Sequence, residues 1–549
     1  MTQQKSQLRQ LHRPNLWPFG ALAIALVVVA PVLAVIWLAF HPTENIWPHL
    51  MATVLPRYLI NTVILAAGVG ALSVAMGTGA AWLVVMYRFP LARFLDQALL
   101  FPLAIPAYIG AYALVDFLDY SGPLQGAMRL AMGWTSAKDY AFPEVRSLGF
   151  AMLVLAAAFY PYVYLLARAA FREQSGGTYE VARALGAGPW GLFWRVGLPL
   201  ARPALAVGLA LVLMETVADF GTVQHFAVQT LTTGVFSTWL NGDNAGGAAQ
   251  LAGVILVLIL GLIFVEQSSR RNARFHKPSR AVRPVVPVVL KGFAAWVALL
   301  ACLVPLSLGF VLPVAVMLTH ALEKPKAWLA PGLAQAVVNT LSVGAIAAVL
   351  TVVAATCLIQ GLRLSRPSVA RLILPLTALG YAAPGAVLAV GILIPLAALD
   401  HRLADAIMAM TGHDPGLLLT GTAVALVLAY MVRFFGIAQG AVEVAFGRVA
   451  PSLPMAARSL GQTAGGVLRR VYLPLMRGSI STALLMVFVD CVKELPATLM
   501  LRPFNFNTLS TRAYDLASLE KITEAAPAAL LVIAFSLTAV AIMARSSRA

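Results

Sequence analysis

The chain has 549 residues, of which 60% are hydrophobic and 11% charged, whereas soluble globular domains carry about a quarter charged residues. A mean hydropathy of +0.84 excludes a string of soluble domains and makes lipid the main solvent. The net charge of +17, from 39 basic and 22 acidic residues, would suggest a nucleic-acid binder in a soluble protein; the placement of the basic residues decides otherwise.

A spanning helix needs about 20 mainly apolar residues. Taken in chain order, a short tail (1–16) with Lys5, Arg9 and Arg13 precedes the first apolar run. That run has no clear small-residue cleavage site and reads as a retained signal anchor. Twelve spans are expected: 17–40, 59–86, 95–118, 148–170, 203–225, 248–265, 293–318, 336–361, 372–398, 417–438, 478–500 and 527–544. The fold class is therefore all-α integral membrane. A hydrophilic stretch from Glu266 to Lys291 divides the chain almost in half. It holds Arg270, Arg271, Arg274, Lys277, Arg280 and Arg283 with Pro278, Pro284 and Pro287, and reads as a solvated linker between a first half (17–265) and a second (292–549).

Alternating the twelve spans puts 28 of the 39 Lys and Arg residues on one side: in the two tails, 87–94, 167–203, 266–292, 362–371 and 433–478. That is the positive-inside asymmetry, with both termini cytoplasmic. The excess charge is a topology signal, and no nucleic-acid partner is expected.

The halves repeat each other. Residues 180–200 and 455–475 align without a gap and share ten of 21 positions: Ala182, Arg183, Leu185, Gly186, Gly191, Arg195, Val196, Leu198, Pro199 and Leu200 all recur. Asn61-Thr62 and Asn339-Thr340 echo each other at the heads of two spans. Six spans separate the copies, so they share orientation, and such a parallel duplication builds a pseudo-twofold arrangement about the membrane normal.

Both copies fall in cytoplasmic loops between the fourth and fifth span of their half. Thr178 and Ser452 are expected N-caps, with Glu180 in the first turn against the helix dipole. Gly186 and Gly461 are expected to end the helix. Pro199 and Pro474 suit the first turn of the next membrane helix, where no backbone donor is lost. A stiff helix on the cytoplasmic face, tied closely to a membrane helix, can carry force between an outside partner and the membrane. A single copy would read equally well as an interfacial amphipathic helix; two copies, each leading to Leu-Pro, favour the lever.

Acidic side chains inside the bilayer are functional candidates by default. Glu215 and Asp219 lie four apart, hence on one helical face, and the same positions of the second half hold Asp490 and Glu494. From Pro199 to Glu215 is about 24 Å of helix, so the four carboxylates belong to the outer half of the bilayer, with helix breaks expected at Gly221 and Pro496. They either form an acidic path for a hard cation, which takes oxygen ligands, or are helix-end acids held by Lys493 and backbone donors; the residues leave both readings open. No high-affinity metal site is expected, because a path through the membrane must let its ion go. Cys302, Cys357 and Cys491 are far apart in apolar runs, the eight histidines are scattered, and no Gly-x-x-x-x-Gly-Lys-Ser/Thr loop occurs. Nothing points to catalysis or to a nucleotide or other cofactor on this chain.

The pattern Glu-Ala-Ala, three residues, Gly, nine residues, Ile, one residue, Leu-Pro is the signature loop of bacterial ABC-importer permeases. The two loops resemble it at Glu180, Ala182, Gly186, Val196, Leu198 and Pro199, and at Ala456, Ala457, Gly461, Val471, Leu473 and Pro474. The second copy departs from it at Met455, where the family usually has an acid. The resemblance implies a type I ABC importer fold of two fused six-helix permease repeats in a bacterial inner membrane. It also implies two cytoplasmic ABC ATPase subunits, which hold the ATP-Mg and dock on the loops, and a periplasmic binding protein outside. The stretches Met214-Glu-Thr-Val-Ala-Asp-Phe-Gly-Thr-Val223 and Lys493-Glu-Leu-Pro-Ala-Thr498, with Arg502-Pro-Phe-Asn-Phe506, resemble fused ferric-iron permeases, so ferric iron is the expected cargo. Fused thiamine permeases share the architecture, and polyamine, sulfate and phosphonate permeases share the loop. An ion-driven secondary transporter also uses repeats and intramembrane acids.

Overall fold

A computed structural model describes residues 16–42, 45–271 and 285–546, with the side chains of 265–271 and 543–546 excepted. The basic tail, and the linker from Asn272 to Pro284, lie outside the described residues. Among those described, eleven helices are long and apolar enough to cross a membrane, or twelve if one bent pair counts as a single span. We number the main helices α1 (Leu16–Phe40), α2 (Leu55–Met86), α3 (Ala107–Leu118), α4 (Leu148–Glu173), α5 (Gly176–Ala184), α6 (Pro189–Ala218), α7 (Ala245–Arg271), α8 (Phe293–Glu323), α9 (Leu333–Arg363), α10 (Pro367–Ala382), α11 (Gly385–Thr411), α12 (Ala423–Arg448), α13 (Ser452–Ser459), α14 (Ala464–Lys493) and α15 (Ile522–Ser546). Apart from one short parallel strand pair, Tyr87–Arg88 with Val288–Val289, the fold is helical, in keeping with the composition.

Three expected spans are redrawn. Residues 95–118 are not one straight helix: Ala92–Ala104 and Ala107–Met132 meet at 96°. Pro106 stands at the corner with extended backbone, having neither an N–H to continue the ladder nor room for the preceding turn. Pro384 does the same in the second half, so the run 372–398 divides into α10 and α11, and α11 continues to Thr411. The apolar string 417–422 is not helical at all. Asp400, fully buried on α11, accepts the N–H groups of Leu418 (2.8 Å), Leu419 (3.0 Å) and Thr420 (2.8 Å) and the Thr420 hydroxyl (2.6 Å). A carboxylate that gathers three successive donors fixes this segment as a loop, and α12 begins six residues later than its hydropathy suggests.

The chain forms two compact units: one of residues 1–37, 338–505 and 539–549, the other of 38–337 and 506–538. The unit built on the first half thus takes in α8, the opening helix of the second half. Within it, Gly309 of α8 lies so near the Ala157 carbonyl that a Cβ would sit 2.3 Å from it. The other unit takes in α1 as far as Trp37. There, Cβ atoms on Gly361 and Gly391 would come 2.4 Å and 2.2 Å from the carbonyls of Trp17 and Pro31. Lipid tails give helices little hydrophobic reason to associate, so contacts rely on small residues that admit another backbone. Gly77 of α2 lies against Tyr160, Val163 and Tyr164 of α4, and Gly208 of α6 against Val163, which draws α2, α4 and α6 together beneath the first loop.

Candidate coupling loops and intramembrane acids

The two loop helices end in the same way. Gly186 has φ +83° and Gly461 φ +80°, a left-handed conformation that costs other residues roughly 1–2 kcal/mol. The Gly186 N–H bonds the Arg183 carbonyl and the Ala187 N–H the Ala182 carbonyl, both at 2.9 Å. The Gly461 N–H bonds the Arg458 carbonyl (2.9 Å), and the Gln462 N–H the Ala457 carbonyl (3.0 Å). Each is a complete Schellman closure, and its deep acceptor is the alanine at the same place in both signatures. The helix starts differ from expectation. Helix α5 begins at Gly176 after Ser175, and α13 begins at Ser452 after Pro451, with no side-chain cap bond at either. Thr178 is inside α5 because its N–H already bonds the Ser175 carbonyl (3.1 Å), and this puts Glu180 in the second turn, not the first. Glu180, Gly186, Ala456 and Gly461 are exposed, as are the apolar Val181, Leu185, Met455 and Leu460.

Leu198, Pro199, Leu473 and Pro474 do not open new helices. Helices α6 and α14 are already running at Pro189 and Ala464, and both widen into a π-turn, at Leu192–Gly197 and Leu468–Tyr472. The Leu198 N–H reaches five residues back to the Phe193 carbonyl, and the Leu473 N–H to that of Leu468. A proline clashes with the carbonyl four residues back in an α-helix; the wider π-turn takes up that clash and lets the helix pass through Leu-Pro unbroken. The same device precedes Leu312-Pro313 in α8, after a π-turn at Ser307–Val311. Each loop therefore joins a membrane helix that is continuous to its far end.

That far end carries the acids. Helix α6 stops at Ala218 and α14 at Lys493, so Asp219 and Glu494 stand just beyond them in extended backbone and do not share a helical face with Glu215 and Asp490. The Asp219 carboxylate accepts from the Thr222 N–H (3.0 Å), the Val223 N–H (3.2 Å) and the Thr222 hydroxyl (3.1 Å). Glu494 accepts from the Ala497 N–H (3.0 Å) and pairs with Arg433 of α12 at 3.0 Å. Asp490 pairs with Lys493 at 2.8 Å, and Glu215 is half-buried on α6. Asp219, Glu494 and Asp490 are thus held by structural partners. Arg433, assigned from hydropathy to the cytoplasmic end of a span, is instead 9% exposed within α12; the α12 start at Ala423, fixed by Asp400, carries it into the helix. Its isolation in the apolar run Tyr430–Phe435 was the available signal. Among the described residues, no group of three or more His, Cys, Asp or Glu side chains could hold a metal ion.

Residues 71–272 match the family described as binding-protein-dependent transport system inner membrane component. The chain is similar to the Fe(3+)-transport system permease protein FbpB 2 of Haemophilus influenzae, with 24% identity over 488 residues covering 87% of each chain. It is also similar to the probable sulfate transport system permease protein cysT of Zygnema circumcarinatum, with 27% identity over 44% of this chain and 86% of that one. The molybdenum transport system permease protein ModB of Escherichia coli is 26% identical over 37% of this chain and 87% of its own. The last two correspond to one half of the present chain in length, as expected of a duplication. By the signature within its first half and a likeness running nearly from end to end, the chain is similar to the inner-membrane permeases of binding-protein-dependent transport systems.

Proposed function

We propose that this chain is the transmembrane subunit of an ATP-driven importer that takes ferric iron from a periplasmic binding protein. Two cytoplasmic ABC ATPase subunits would dock on α5 and α13 and hold the ATP-Mg themselves, and both termini would lie in the cytoplasm. The observation that carries the reading is the duplicated, Schellman-closed loop helix. In each copy an exposed polar and apolar surface leads through a π-turn and Leu-Pro into one unbroken membrane helix. A push at the loop is thereby delivered along the whole of α6 or α14 to the helix break at its outer end. The ferric-iron assignment is supported by the full-length likeness to an Fe(3+)-transport permease. The arrangement of the acids favours the helix-end reading over a cation path for Asp219, Asp490 and Glu494, since a carboxylate holding backbone donors or a paired base is not free to bind cargo.

The test is reconstitution of the chain in liposomes with an ATPase and candidate binding proteins, measuring which loaded binding protein stimulates hydrolysis. Stimulation by the ferric-loaded protein is expected. Stimulation by thiamine, sulfate or molybdate instead would reassign the cargo. Purification without any ATPase, together with uptake that follows a proton or sodium gradient, would make it a secondary transporter.

A further inference from the structure

We propose that Trp82, Gln174, Tyr179 and Gly197 clamp the first loop to three membrane helices at once, and that the second loop lacks this clamp, so the two loops transmit unequally. The functional half of this inference rests on the docking role assigned above; the mechanical half does not.

Tyr179, on the inner face of α5, is 2% exposed. Its hydroxyl donates to the Gln174 Oε1, and the Gln174 Nε2 donates to the Gly197 carbonyl (3.2 Å). The Trp82 ring of α2 lies 5.9 Å from the Tyr179 ring, 5.3 Å from Phe171 of α4 and 5.2 Å from Phe193 of α6. Gly197 makes this possible: a Cβ there would stand 2.4 Å from Trp82 Cζ3. One loop residue is thus fixed to α2, to the end of α4 and to the π-turn of α6.

The second repeat keeps the signature but not the joint. Phe446 stands for Phe171, yet Val449, Pro454, Leu468 and Tyr472 take the places of Gln174, Tyr179, Phe193 and Gly197. In the register set by the Asn-Thr pairs, Gln360 stands for Trp82. The large-against-small pair Trp82 and Gly197 has become Gln360 and Tyr472. Tyr472 contacts Phe446 at 4.6 Å, Arg363 covers both rings at 5.3 and 5.6 Å, and Gln360 Nε2 donates to the Ala464 carbonyl (3.2 Å). These contacts join α9, α12 and the start of α14 to one another. The loop helix α13 itself contributes only Pro454 as a buried residue, and that side chain has neither a hydroxyl nor a ring face of the kind that secures Tyr179.

The test compares the full chain with Trp82→Leu, Trp82→Phe and Tyr179→Phe variants in nanodiscs and in vesicles. Amide exchange, measured without any ATPase, should be about tenfold slower at 176–186 than at 451–461. Trp82→Leu and Tyr179→Phe should erase most of that difference, whereas Trp82→Phe, which keeps a ring, should preserve it. With ATPase present, Trp82→Leu and Tyr179→Phe should retain it on purification yet move roughly fivefold less cargo per ATP hydrolysed, while Trp82→Phe moves cargo much as the parent chain does. Equal exchange in the two parental loops would overturn the clamp, and so would unchanged cargo per ATP in both Trp82→Leu and Tyr179→Phe. If the parental loops differ in exchange but no ATPase is retained by any form, the docking role fails while the clamp stands.

Discussion

Asp219 and Glu494 occupy the same position in the two repeats and perform the same task. Each sits one residue past the end of a membrane helix and accepts the N–H three residues on, from Thr222 and Ala497 respectively, both at 3.0 Å. The repeat has preserved a backbone bond rather than a charge pattern. The partners around that bond have diverged: Glu494 has Arg433 beside it, whereas Asp219 takes two further donors from Thr222 and Val223.

The first prediction follows from what such a cap needs. Asparagine keeps an oxygen acceptor and alanine does not, so Asp219→Asn should fold and insert like the parent chain, and Asp219→Ala should lose about 1–2 kcal/mol. Thermal unfolding in detergent measures the difference. Uptake by the Glu215→Gln, Asp219→Asn double variant separates the roles: a several-fold slower passage of cation with ATPase still bound would restore a path role to these acids.

A second prediction concerns the buried pair. Arg433 and Glu494 are both nearly inaccessible, and removing one partner of such a pair costs about 3–5 kcal/mol because the other is left unpaired. Arg433→Met should therefore be severely destabilised, and adding Glu494→Gln should recover part of the loss. Gly385→Ala should mimic the single variant, since its Cβ would fall 2.4 Å from Glu494 Oε1. A double-mutant cycle on thermal stability gives the coupling directly.

Nothing lies within 4 Å of a Cβ built on Gly186 or Gly461, so substitution there acts through backbone conformation and the exposed surface, not through packing. Gly186→Asp and Gly461→Asp should insert normally and abolish uptake. Normal transport by both, at equal amounts in the membrane, would refute a coupling role for the loops.

The Asp400 cradle gives a fourth prediction. Asp400→Ala leaves three backbone donors and a hydroxyl without their acceptor, and the two on buried Thr420 cost about 1–3 kcal/mol each when unsatisfied. Early proteolysis within 412–422, before any loss of α14, is the expected signature; a parental cleavage pattern would show that the loop holds without the carboxylate.

Hydropathy, the arginine and lysine asymmetry and the 21-residue repeat determine a great deal by themselves: a polytopic helical protein, its duplication, the loop helices and the glycines that close them. These features are local or periodic, and a Schellman glycine or an apolar run means much the same wherever it occurs. Tertiary structure decided the rest. The π-turns that carry α6 and α14 through Leu-Pro depend on how a strained turn can widen. The loop at 417–422 depends on an aspartate from the preceding helix, and the placing of Arg433 in α12 follows from that loop. The roles of Asp219 and Glu494 depend on where a helix stops, which the bonds made by the next turn settle. Spacing alone puts residues four apart on one face only while the helix lasts; here it ends one residue too soon.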